Sequence, residues 1–216
     1  MKRLILLFTI VFMASLSMPV MAQKDATKKS KKELQKKPIK MARKAAKKLK
    51  HKGYYVAPGA LPLDKQLEKA YIKQYMDDEE GYPKYIVASG NGVAGTQTAA
   101  RIQALETAKL ELAGTIATNV AALVQADIAN QQMTREDAAT VTKIVSASKN
   151  IIAQELGRVI PLTEIYKNVG KENIECDVQL AYDSKTAKEV AKKVIREELE
   201  KQGEELQDKL DKMLNF

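Results

Sequence analysis

The sequence predicts an α+β fold: a small antiparallel or mixed sheet packed against long helices and covered on one side, preceded by a basic helical arm. Three observations predict it. Apolar residues recur by threes and fours over stretches far longer than any strand, as in Ile102, Leu105, Ala108, Leu112, Ile116, Val120 and Val124. Ile174, Cys176, Val178, Leu180 and Tyr182 alternate with Glu175, Asp177, Gln179 and Ala181, the period of a half-buried strand. The charge is divided unevenly along the chain, which separates an arm from a body. With 216 residues, 45% hydrophobic and 29% charged, the chain can bury one core, and a wholly disordered or fibrous protein is excluded.

The first element is a secretory signal peptide over residues 1–22. Lys2 and Arg3 precede the apolar run Leu4–Leu16, and Pro19, Val20 and Ala22 form a small-residue cleavage site before Gln23. The run is shorter than the roughly 20 residues of a membrane span. No cysteine stands near the Ala22–Gln23 junction for lipid attachment. The expected address is exported, in the periplasm or associated with the outer membrane.

The arm is residues 23–52, with 14 Lys and Arg against 2 acids, whereas residues 53–216 carry 20 against 25. Its first half has little to bury and is expected to be disordered. After Pro38, Met41, Ala42, Ala45, Ala46 and Leu49 recur at helical spacing, and Gly53 marks a helix end with cations in the last turn. Arg43, Lys44, Lys47, Lys48, Lys50 and Lys52 are the candidate contacts to an anionic surface, either lipid or lipopolysaccharide, or to an acidic envelope protein. The competing reading is a solvated helix whose Ala/Leu stripe packs on the body. Export, and the absence of aromatic residues within the basic run, argue against nucleic acid.

The remaining elements follow in order. Residues 53–83 form a linker: an extended piece broken at Pro58–Gly59, then a helix over about 64–76. The body spans 84–198. It opens with a strand, Tyr85–Ala88, that ends in glycines, followed by a helix over 97–128 that Gly114 is expected to kink or split. Thr134 and Asp137 cap a further helix running to Leu156. Two strands joined by the link 168–171 come next, with Pro161 marking the first as edge or irregular. The helix from Ser184, with Thr186 and Glu189 as a capping box, buries Ala187, Val190, Ala191, Val194 and Ile195. Residues 199–216 are expected to project as a helix available for contact with a second copy.

Candidate chemistry is sparse. Gly90-Asn91-Gly92-Val93-Ala94-Gly95 matches G-x-G-x-x-G between a strand and a helix, the setting of a dinucleotide fingerprint. A second helix follows where a parallel strand should, and the expected acid about 20 residues on is missing, so the glycines read as a bulge or turn. His51, the single histidine, lies between Lys50 and Lys52, and the single Cys176 lies between Glu175 and Asp177, an acidic setting that suits a buried structural thiol. No catalytic residue, metal ligand or cofactor is assigned.

Residues 85–124, an apolar strand, a glycine-containing exit and a helix with Ala100, Ala104, Ala108 and the pair Leu112–Ala113, resemble the bacterial twenty-kilodalton outer-membrane lipoprotein family. Coverage is roughly residues 84–195. The chain departs from the family in lacking a lipidated cysteine. The resemblance implies a small α+β envelope module without established enzyme activity. The expectation is therefore an exported, non-catalytic binding or adaptor module. The alternatives are a secreted hydrolase or nucleotide-dependent enzyme using Gly90–Gly95, and self-assembly through the C-terminal helix.

Overall fold

The computed structural model describes residues 38–129 and 134–202. The chain falls into two units, Met1–Lys40 and Met41–Phe216. Of the first, only residues 38–40, at the start of a helix, are described. The expected signal peptide with its Ala22–Gln23 junction, the first half of the arm and the tail beyond Gln202 lie outside the described residues.

Among the described residues, six helices and a three-stranded antiparallel sheet make the α+β architecture. They are α1 (38–51), α2 (Leu63–Gln74), β1 (Tyr85–Ala94), α3 (Gln97–Ala129), α4 (Arg135–Ala147), α5 (Lys149–Glu155), β2 (Ile160–Val169), β3 (Asn173–Asp183) and α6 (Ser184–Gln202). The strand order is β1-β3-β2, so β3 is central. Its inward row Ile174, Cys176, Val178, Leu180 and Tyr182 meets α3 and the helices after it, forming the main core with Ala100, Ala104, Ala108, Leu112, Ile116, Val141, Ile152, Val194 and Ile195. The alternation in the sequence sets this face, because successive side chains of a strand point to opposite sides.

The other face is not bare, as a sheet covered on one side would leave it. Ala46 of α1 and Leu63 of α2 pack on Ile165, and Ala70 of α2 packs on Leu162 and Ala181. These two helices cover the β2 side. The β2 edge is closed as well: Tyr55 and Tyr166 exchange both backbone hydrogen bonds at 2.8 Å, and their rings stack with centroids 6.0 Å apart.

Several elements depart from expectation. β1 does not end at its glycines but runs through Gly90 and Gly92 to Ala94, in unbroken register with β3. Gly114 does not split α3, which is continuous over 33 residues; a helix interior tolerates one glycine when packing on both sides of it holds the element. The single helix expected over 134–156 is two, broken at the buried Ser148. Thr134 caps α4 as expected, accepting from Asp137 N at 3.1 Å. At α6 the cap is Asp183 rather than Thr186, since its carboxylate accepts from the Lys185 and Thr186 amides. β2 is irregular where Pro161 stands, with a register shift between Pro161 and Thr163.

Candidate functional site

α1 turns its small residues inward and its cations outward. Ala42 and Ala46 are 1% and 4% exposed, while Arg43, Lys44, Lys47, Lys48, Lys50 and Lys52 are all exposed. The spacing gives this directly: Ala42, Ala46 and Leu49 fall on one face, at intervals of four and three. Gly53, at φ +88°, ends the helix in the left-handed conformation that glycine adopts without strain.

The structure brings three of the six cations together. Arg43, Lys47 and Lys50 join His51 around a groove of about 560 Å³ with Ala46 at its floor and Asp64, in the first turn of α2, on its wall. Lys44, Lys48 and Lys52 are exposed outside this groove. Among the described residues none of the six forms an ion pair, in contrast to Lys65–Glu68 at 2.9 Å, Lys109–Glu106 at 2.8 Å and Lys193–Glu155 at 2.8 Å. Residues 38–52 contain seven Lys and Arg and no acid. Asp64 is the acid among the residues that line the groove.

The glycine motif has a packing role. Gly90 and Gly92 lie on the side of β1 that meets α3, and a Cβ on Gly90 would collide with the Ala104 carbonyl and the Ala108 amide, one on Gly92 with the Ala100 carbonyl and the Ala104 amide. Alanines at every fourth position of α3 thus face glycines at every second position of β1, and helix and strand approach backbone to backbone. The motif is neither a phosphate loop nor a turn, because the space a pyrophosphate would need against these glycines is filled by α3.

Two polar networks escaped the sequence reading. Glu164 on β2 accepts from Arg101 Nε at 2.8 Å and from the Tyr166 hydroxyl at 2.6 Å. The Glu164 amide donates to Gln66 Oε1, and Gln66 Nε2 donates to the Leu61 carbonyl, both at 2.8 Å. Gln66, buried on α2, ties the linker to the sheet; no motif could signal it, because its partners are main-chain groups and the Glu164 amide lies 98 residues further along the chain. On the sheet face away from α3, Asn91 Nδ2 donates to Glu175 Oε1 at 3.1 Å and Asp177 Oδ1 at 2.6 Å, and the Tyr54 hydroxyl donates to Glu175 at 3.1 Å. Burial and the two carboxylates push the Tyr54 phenol well above its ordinary value.

Cys176 is fully buried, and burial, aided by the Glu164 charge, pushes its thiol up to about 11. Nucleophilic chemistry needs the opposite shift and an open approach. A second cleft, of about 570 Å³, lies between α3 and the α4–α5 break, with Glu111, Thr118, Asn119, Ser146 and Lys149 among its lining. Among the described residues no group of three or more His, Cys, Asp or Glu is placed to hold a metal ion, and no helix is long and apolar enough to cross a membrane. Against known proteins, no family model matches the chain, and no curated protein or solved structure shows a significant match.

Proposed function

We propose that the protein is an exported, non-catalytic component of the cell envelope whose α1 face attaches it to an anionic surface, lipid or lipopolysaccharide. The observation that carries this reading is the groove of Arg43, Lys47 and Lys50 on a helix whose cations have no ion-pair partner among the described residues. Lysines with long stems keep their charge in water while their helix is packed through alanine, so the face presents charge without inserting. Each cation close to an anionic membrane surface contributes about 1 kcal/mol, and several together suffice for reversible adsorption. The Leu4–Leu16 run and the Ala22–Gln23 junction support export. The likeness of residues 85–124 to the twenty-kilodalton outer-membrane lipoprotein family supports the envelope. The missing lipidated cysteine makes electrostatic attachment the more useful to such a protein.

Co-sedimentation of the full chain, with its signal peptide removed, tests the reading. Vesicles containing phosphatidylglycerol should retain the protein at low salt and release it as salt rises, whereas phosphatidylcholine vesicles should not retain it. The triple variant Arg43→Gln, Lys47→Gln, Lys50→Gln should lose about 3 kcal/mol, roughly a hundredfold in partition, with its melting temperature unchanged. Equal retention of the triple variant would remove α1 from the account.

A further inference from the structure

The two edges of the sheet are treated differently. β2 carries Pro161, a register shift, Glu164 and Lys167, and Tyr55 pairs along its outer side. These are devices by which proteins keep an edge strand from pairing with other chains. β1 has none of them: Tyr85–Ala94 is ten residues long, contains no charge and no proline, and keeps one register throughout.

The side of β1 left unpaired can be read from two hydrogen bonds. Ser184 N–H donates to the Lys84 carbonyl across the β1–β3 ladder, and Val93 N–H donates instead to Gln103 Oε1 at 3.1 Å. In an antiparallel pair these directions alternate, so Ile86, Ala88, Gly90 and Gly92 face β3, while Val87, Ser89, Asn91 and Val93 aim their amides and carbonyls outward. Among the described residues no backbone group pairs with that outer row, and Ser89, Asn91 and Val93 are exposed.

A second copy's β1 paired antiparallel to this one does not fit there. α3 lies directly over β1 at Gly90 and Gly92. Pairing β1 with its own copy at a strand spacing of about 4.8 Å would bring two α3 axes to about that separation, whereas packed helices need roughly 8–10 Å. A lone extended chain has no such helix. On the sheet face away from α3 its side chains would lie beside Asn91, beyond which stand Glu175 and Asp177, bridged by the Asn91 amide. We infer that the β1 edge takes up one extended segment of a partner polypeptide by strand addition, cationic on the face it shares with Glu175 and Asp177. Gln103, which now occupies the Val93 amide, is displaced when the segment binds. This site is separate from the α1 groove and does not depend on it.

Hydrogen exchange on the full chain tests it, with a ten-residue peptide of alternating lysine and valine as the probe. Saturating peptide should slow exchange of the Ser89 and Asn91 amides at least tenfold. The same peptide N-methylated at alternate residues should have no effect, and a glutamate–valine peptide should bind at least tenfold more weakly. Ser89→Pro removes one outward amide that β3 does not use, and should abolish binding with the melting temperature retained. Should proline unfold the protein, Ser89→Lys, which keeps every backbone group, should weaken the lysine–valine peptide tenfold. Unchanged exchange with the lysine–valine peptide would overturn the inference. So would equal binding of the glutamate peptide, or edge protection that rises with protein concentration alone.

Discussion

Gly90 and Gly114 both lie at the surface of α3, one beneath it and one within it, and they should respond to alanine in opposite senses. A methyl group at Gly90 meets helix backbone that cannot yield, so Gly90→Ala should lower the unfolding free energy by about 3 kcal/mol, at the upper end of overpacking costs, as read by urea denaturation. At Gly114 the nearest atoms belong to the far end of Lys149, with its ammonium at 2.9 Å. That side chain can swing away, so Gly114→Ala should raise stability by about 0.5–1 kcal/mol, the helix-propensity gain. Sequence alone does not separate the two: G-x-G-x-x-G was legible as a pattern, but which residue lies across from each glycine depends on the β1–α3 pairing. Alkaline pH tests the buried acids. The thiol of Cys176 is raised from its ordinary 9.0 to about 11, and the phenols of Tyr54 and Tyr166 also lie above their ordinary value. The folded state therefore favours their neutral forms. Their contribution should be complete below about pH 9 and decline as pH climbs through 11. The urea midpoint should fall over that window, and Tyr54→Phe should make the fall shallower above pH 10.

Among the elements, those with a strong period were legible. β3 follows its alternation, and α6 buries Ala187, Ala191, Val194 and Ile195. α3 buries the expected row from Ala108 to Val124, but Ile102 is exposed and the first turns bury Ala100 and Ala104 instead. Elements decided by distant partners were not. Nothing local tells that β1 continues through two glycines, because the continuation from Ser89 to Ala94 is held by its register partners Ile174–Gln179 on β3. The covering of the second sheet face by α2 rests on Leu63, Ala70 and the buried Gln66, too few apolar positions to announce a buried side. The α4–α5 break falls at Ser148, which is buried with its hydroxyl unpaired, a local departure that no propensity scale marks. The Thr134 cap was legible, since a threonine three residues before Asp137 is a local signature. Thr134→Ala should cost about 1 kcal/mol, measured by the urea midpoint, with no change in vesicle binding because α4 stands apart from α1.

At the scale of the whole molecule, the division of charge was plain in the sequence, but its consequence was not. The six candidate contact residues, Arg43, Lys44, Lys47, Lys48, Lys50 and Lys52, could have been dispersed around a free helix. Instead Ala42 and Ala46 are buried and all six cations are left outward, three of them around one groove beside Asp64. Under the proposed function, this is the side of the body that would meet an anionic surface. Cys176 is buried, so a thiol introduced at the surface can be labelled selectively. The most direct measurement places an environment-sensitive fluorophore on Lys48→Cys in α1 and, separately, on Ile102→Cys on the exposed side of α3, in the chain lacking residues 1–22. On addition of phosphatidylglycerol vesicles at low salt, emission from the α1 label should shift to the blue and return when salt is raised, while the α3 label stays unchanged. A shift at Ile102→Cys with none at Lys48→Cys would contradict the account.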